Sequence, residues 1–265
     1  MEQVGTMTMP GEASFAPGLE GGRVIGLPVT VGTPASVSRE ILRLARDGAG
    51  GQTCVANVHM LVEARRDSSL RRVLEDAALV VSDGMPLVWQ LRRQGFAHAQ
   101  QVRGPDLTVR LCEDAAAAGL PVYFYGGDRA LMAELEAMLH ARLPTLRIAG
   151  AEAAPVLPRR PEVDPALVER IRGSGARLVF VGLGCPKQEF WMEAYRPHLD
   201  AVLVGVGQAF AIIAGHLPEA PVWMRRAGLE WLFRVISEPR RLWRRYLVTN
   251  TLFGVFLLRE ALSGR

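Results

Sequence analysis

Gly182 and Gly184 stand one residue apart at the end of the apolar run Leu178–Val181, and Pro186, Lys187, Gln188 and Glu189 follow at once. Glycine lets the backbone approach a ligand closely, proline suits the start of a helix, and a helix N-terminus presents free N–H groups to an anion. A strand, a turn and a helix carrying an ammonium, an amide and a carboxylate therefore suit a phosphate-bearing ligand with hydroxyls to orient. Lys187 is the only lysine among the 31 lysines and arginines, so a compact point charge stands here in an otherwise all-arginine chain. Such a pair of glycines also makes an ordinary tight turn, and its weight depends on what accompanies it.

Other polar residues fall at the same place relative to apolar runs. Thr53–Val58 reads as a strand delivering Asn57 and His59, and Ala78–Val81 as one delivering Ser82, Asp83 and Gly84. In an open parallel sheet, ligands collect at this end of the strands. Asp83 has two readings: an Asx turn or helix cap, favoured on spacing alone, and a carboxylate that takes the proton of an attacking hydroxyl. Arg103 and Asp106 flank Gly104-Pro105, the first offering a cation and the second placed to cap a helix through Ala118 or to face a ligand.

Gly126-Gly127 and Gly205-Val206-Gly207-Gln208 end two further apolar strands. Three glycine turns after buried strands are the layout of a nucleotide site across a Rossmann-like sheet. Neither GxGxxG nor GxxxxGK[ST] occurs, so no dinucleotide cofactor or P-loop is expected. No Asp-x-Asp pair is present to hold a divalent metal on a diphosphate, and no metal is expected. Lys187, arginines and backbone N–H groups would then carry the charge of such a leaving group.

The elements that must position these residues alternate. Strands are predicted at Arg23–Val31, 53–58, 78–81, Val122–Tyr125, Arg147–Gly150, 178–181 and Ala201–Val204. Helices are predicted at Ser36–Arg46 with Ser36 as cap, Met60–Glu75, Pro86–Arg93, to Ala118, Leu131–Leu143, Ala166–Gly173 and Ala209–Ala214. The alternation predicts an α/β, Rossmann-like, mostly parallel sheet with helices on both faces, plus a helical C-terminal appendage. The expected divisions are a disordered leader at 1–22, an α/β domain at 23–221 and a basic amphipathic appendage at 222–265.

At 265 residues, 49% hydrophobic and 22% charged, the chain has the composition of an ordinary globular protein. Cys54, Cys112 and Cys185 are odd in number and widely spaced, which indicates a reducing compartment and no structural zinc. The first 22 residues lack the basic start and apolar core of a signal peptide, and no apolar run reaches the ~20 residues that cross a bilayer.

The positive charge is concentrated at the end. Nine arginines against three acids give residues 223–265 a formal +6, and with the whole chain at +4 the remainder carries −2. Arg240, Arg241, Arg244 and Arg245 repeat every four residues, and a helical projection assigns them one side, with Leu242, Trp243, Tyr246 and Leu247 opposite. Such a pattern is that of an interfacial helix on anionic lipid. It also fits a surface helix packed on the core, whereas nucleic acid is not expected, since the body offers no basic face.

The turn at 178–191, with ANVHML, SDGMP, GPDL, YGG, GVG and LEWLFRVISEPRRLWRRYL in order, resembles the WecG/TagA/CpsF family of bacterial glycosyltransferases over roughly residues 23–250. The resemblance implies an inverting transfer of a hexose or N-acetylhexosamine from a UDP-sugar to a polyprenyl-diphosphate-linked sugar in surface polysaccharide or exopolysaccharide synthesis. Asp83 then matches the family's candidate catalytic base, with Gln188 and Asn57 orienting sugar or acceptor. Gly84, Arg103, Asp106, Gly126, Gly127, Gly182, Gly184, Lys187, Glu189, Gly205, Gly207 and Gln208 would bind substrate, and tail arginines such as Arg234, Arg240 and Arg241 the lipid-linked diphosphate. The implied location is cytoplasmic, peripheral at the inner face of the membrane, with the tail as the contact; a short apolar tail beside an open site also suits contact between two copies of the chain. The chain departs from the family pattern at four positions. Gln101 and Arg103 stand where the family often has an Arg and a Thr, Val55 replaces a Thr and Ala211 an Asp, and these last two replacements leave a non-catalytic nucleotide-sugar or lipid-binding module as the alternative.

Overall fold

The computed structural model describes residues 18–263. Among the described residues, eight strands form one sheet in the order β1-β2-β4-β3-β8-β7-β5-β6, parallel except for β1. The first pair is a hairpin, β1 (Glu20–Val24) and β2 (Leu27–Val31), where the sequence predicts a single strand. Its two turn residues, Ile25 and Gly26, both have positive φ, at 45° and 74°, as tight hairpin turns require. Because β1 begins at Glu20, the predicted leader is too long at its end; residues 1–17 lie outside the described residues.

Next come α1 (Pro34–Asp47), β3 (Gly51–Ala56), α2 (Val58–Arg66), α3 (Ser68–Glu75), β4 (Leu79–Ser82), α4 (Met85–Arg93) and α5 (Gly104–Ala118). Thr33, not Ser36, caps α1; Ser36 completes a capping box by accepting from the Thr33 N–H at 2.9 Å. The helix predicted over 60–75 is two helices, since Asp67 leaves the helical conformation and its carboxylate accepts from the Ser69 N–H to begin α3.

The second half holds β5 (Val122–Gly126), α6 (Arg129–Arg142), β6 (Ile148–Glu152), α7 (Pro165–Gly173), β7 (Leu178–Gly182), α8 (Lys187–Tyr195), β8 (Val202–Gly205) and α9 (Ala209–Ile213). The appendage is α10 (Val222–Arg226), α11 (Glu230–Ser237) and α12 (Pro239–Leu262).

Alternating residues on each strand feed two cores. Val179 and Val181 pack with α2, α3, α4, α7 and α8 on one face, while Leu178 and Phe180 pack with α1, α5, α6 and α9 on the other. Crossover helices heading toward β1 run on the first face and those heading toward β6 on the second, as a single crossover hand demands, except that α4 lies on the first face before its connection passes to α5 on the second. β8 returns last and pairs with β3, so both halves end their strands along one edge.

At that edge Gly126 and Gly182 are register partners. A Cβ on Gly126 would stand 2.6 Å from the Gly182 carbonyl oxygen, and Gly126 already sits at φ +143°. Gly126→Ala is therefore expected to lower stability by roughly 1–3 kcal/mol in urea unfolding. Gly173→Ala, which meets nothing within 4 Å, is the control and should change it by less than about 1 kcal/mol.

Candidate active site

The C-terminal ends of β3, β4, β7 and β8 open into a single cavity of about 690 Å³. Asn57, Asp83 and Gly84 line it from one side, and Gly182, Gly184, Gln188, Gly207 and Gln208 from the other. Parallel pairing of β3 with β4 and of β7 with β8 sets these ends level. Gly127 also lines the cavity, whereas Gly126 and Gly205 are not part of the lining. A Cβ on Gly205 would press to 3.0 Å from Gln188 Nε2.

Asp83 is not a helix cap. Gly84 occupies the cap position of α4 without a side-chain bond, and the Asp83 carboxylate instead accepts from the Gly104 N–H at 3.3 Å. The Asp83 N–H is fixed on the Ala56 carbonyl at 2.8 Å. Burial and then the Glu230 charge push the Asp83 carboxyl up to about 6, against the pull of Arg234, Arg103 and the Gly104 N–H. A carboxylate so tuned is ionised at neutral pH yet more basic than an exposed one, which suits proton abstraction.

Asn57 caps α2, its Oδ1 accepting from the Met60 N–H at 3.2 Å, which leaves its amide NH2 for a ligand. Gln188 is buried: Oε1 accepts from the Gly207 N–H at 3.0 Å and Nε2 donates to Glu189 at 2.7 Å. It thereby ties the β7 turn to the β8 turn. Glu189 is fully buried behind Gln188 and outside the cavity lining, with Oε2 unpartnered. Burial pushes its carboxyl up to about 7 despite bonds from Gln188, its own backbone N–H and Cys185. Lys187 begins α8 half-buried and is also outside the lining, so the sole lysine is not among the groups gathered here.

Arg103 and Asp106 do not face the cavity either. Arg103 is buried and spends its guanidinium on Asp106 at 3.0 Å, Glu230 at 3.1 Å and Glu219 at 3.5 Å. Asp106 lies in the first turn of α5 without capping it, since its carboxylate goes to Arg103. Gln101 lines the cavity, and so do Val55 and Ala211, the positions where a hydroxyl and a carboxylate are replaced.

The appendage roofs the cleft. Arg234 lines it and donates to Gln208 Oε1 at 2.6 Å; Arg241 lines it while paired with Glu238 at 2.7 Å. Arg240 is exposed and outside the lining. The helical projection of the tail is thus corrected: Leu242 is buried and Arg241, Arg245 and Tyr246 face the cavity, while Trp243 and Leu247 lie exposed on the side of Arg240 and Arg244. Doublets of adjacent arginines stand about 100° apart on a helix, so one of each pair turns inward.

Arg225, Arg245, Tyr246, Asn250 and His59 line the cavity without having been singled out as binding residues. Burial, then Arg245 and Arg159, push the His59 imidazole down to about 4, and its Nδ1 has no partner, so a neutral ring faces the site. The four-residue repeat was the available signal for Arg245 and Tyr246, and for His59 its place just past the apolar run 53–58, beside Asn57. Among the described residues, no group of three or more His, Cys, Asp or Glu could hold a metal ion, and no helix is long and apolar enough to cross a membrane.

Residues 22–265 match the model of the Glycosyl transferase WecG/TagA/CpsF family. A match over nearly the whole chain shows membership: the chain belongs to this family and is a glycosyltransferase.

Glu189 gives a test of the site's inner support. A carboxyl raised on folding binds more protons folded than unfolded, so its stabilisation is full below about 4.5 and is lost as pH rises through about 7. Glu189→Gln keeps the shape without the charge. Its urea midpoint is expected to fall less between pH 5 and pH 8 than that of the wild type; equal falls would show that Glu189 does not titrate.

Proposed function

We propose that this member of the WecG/TagA/CpsF glycosyltransferases transfers a hexose or N-acetylhexosamine from a UDP-sugar to a polyprenyl-diphosphate-linked sugar, with inversion. The observation that carries the reading is the pairing, across one cavity, of a partly buried carboxylate raised to about 6 with a roof of arginines 234, 241 and 245. The acceptor hydroxyl attacks the anomeric carbon from the face opposite the diphosphate, Asp83 takes its proton, and the bond to UDP breaks. One displacement inverts the centre. Charge growing on the diphosphate is met by guanidiniums lining the cavity, in a metal-independent transfer. Asn57 and the neutral His59 are placed to bind sugar hydroxyls.

The outer face of α12 supports a peripheral placement at the inner face of the cell membrane. Trp243, Leu247, Val255 and Leu258 are exposed along it, with Arg240 and Arg244 at its start. Apolar side chains beside arginines suit the headgroup boundary of an anionic leaflet.

Asp83→Asn should lose on the order of 10²–10⁴-fold in turnover while still binding the UDP-sugar, measured as UDP released from a panel of UDP-sugars with a synthetic lipid-diphosphate sugar. Full turnover in the folded variant would remove Asp83 from the reaction. Trp243→Ser with Leu247→Ser should weaken co-sedimentation with anionic vesicles and leave turnover of a water-soluble acceptor analogue unchanged; unaltered sedimentation would refute the tail contact.

A further inference from the structure

Glu230 is the one carboxylate in the appendage that lines the cavity holding Asp83. It opens α11, and both its oxygens are fixed: Arg103 Nε donates to Oε2 at 3.2 Å and Arg103 Nη2 to Oε1 at 3.1 Å. Arg234 lies 3.6 Å from the same Oε1. Arg103 is itself immobilised, being buried and bonded by Asp106 through Nη1. The residue after it, Gly104, donates its N–H to Asp83. A single point of backbone therefore grips Asp83 with an amide and Glu230 with a guanidinium.

We propose that Glu230, clasped by Arg103, is a positioning residue that sets a second negative charge opposite Asp83 and so governs how tightly Asp83 holds a proton. The inference deepens the assignment of Asp83 as base and rests on it only for its catalytic consequence. The charged and titratable groups acting on Asp83 are Glu230 and Arg234 on α11, Arg103 ahead of α5 and Tyr246 on α12, and His59 of α2, Arg225 of α10 and Arg241 and Arg245 of α12 line the same cavity. Glu230 opposes ionisation of Asp83 whereas Arg234 and Arg103 favour it. With Glu230 in place the base is strengthened, and the appendage contributes to the chemistry as well as to the roof.

The opposite signs of Glu230 and Arg234 make the inference testable against a merely structural role. In the full-length protein, the midpoint of the acid limb of kcat/KM against pH is measured together with the ¹³C-carboxyl titration of Asp83, assigned by its loss in Asp83→Asn. Glu230→Gln is expected to move both midpoints down by roughly half a pH unit or more, and Arg234→Gln to move them up. Glu230→Asp, which keeps the charge, is expected to restore most of the wild-type position. Shifts of both variants in one direction, or no shift of the Asp83 carboxyl in Glu230→Gln, would overturn the inference. Retained turnover in Asp83→Asn would instead defeat the base assignment, and the ¹³C titration would still decide the role of Glu230.

Discussion

Parallel pairing of β3 with β8, from Gly51 on Val202 to Cys54 on Gly205, is the constraint on which the site depends. It joins the first half of the chain to its last strand, and Asn57, Asp83, the glycine turns and Gln188 all lie just past strand ends on one or other side of that seam. Neither half holds a site alone: one supplies Asn57 and Asp83, the other the glycine turns and Gln188. The seam is buried on both faces, with Cys54 against one core and Val204 against the other. The geometry of the cleft therefore has the stability of the sheet behind it.

Charge is handled in two ways around this seam. Behind the cavity Glu189 is buried with one oxygen unpartnered, a cost accepted to hold Gln188 and through it the Gly207 N–H. In front, the buried Arg103 guanidinium is shared among three carboxylates, of which Glu230 is largely covered and Asp106 and Glu219 are exposed. The appendage is docked by the Arg103–Glu230 ion pair at α11 and by apolar packing along α12, where Leu242 and Phe253 are buried and Arg65 of α2 lies over the Phe256 ring. Asp83 lies between these two regimes.

The strand-and-turn grammar was legible because each buried strand announces itself by an apolar run and each ends in glycine or a polar residue. Asn57, Asp83, Gly182 and Gln188 could be set on one edge for that reason. The hairpin at Ile25 was not legible, since a β-branched residue at positive φ runs against local preference and the turn interrupts no apolar pattern. Lys187 stood out by its rarity, which says nothing of direction; at the first position of α8 its side chain is not part of the lining. Arg103 was expected to bind substrate, since its carboxylate partners Glu219 and Glu230 lie more than a hundred residues away in sequence. Long-range ion pairs leave no periodic trace.

The faces of α12 carry a consequence for sequence change. Arg241 and Arg245 belong to the chamber and Arg240, Trp243, Arg244 and Leu247 to the outside, with the two sets centred about 130° apart on the helix. Point replacements alter either set separately. Insertion or deletion of one residue ahead of Leu242 would swing the whole downstream helix by about 100°, so that every downstream side chain leaves its present direction at once. The spacer between α11 and α12, the single residue Glu238, thus acts as an indexing pin, and its length is under tighter constraint than its chemistry.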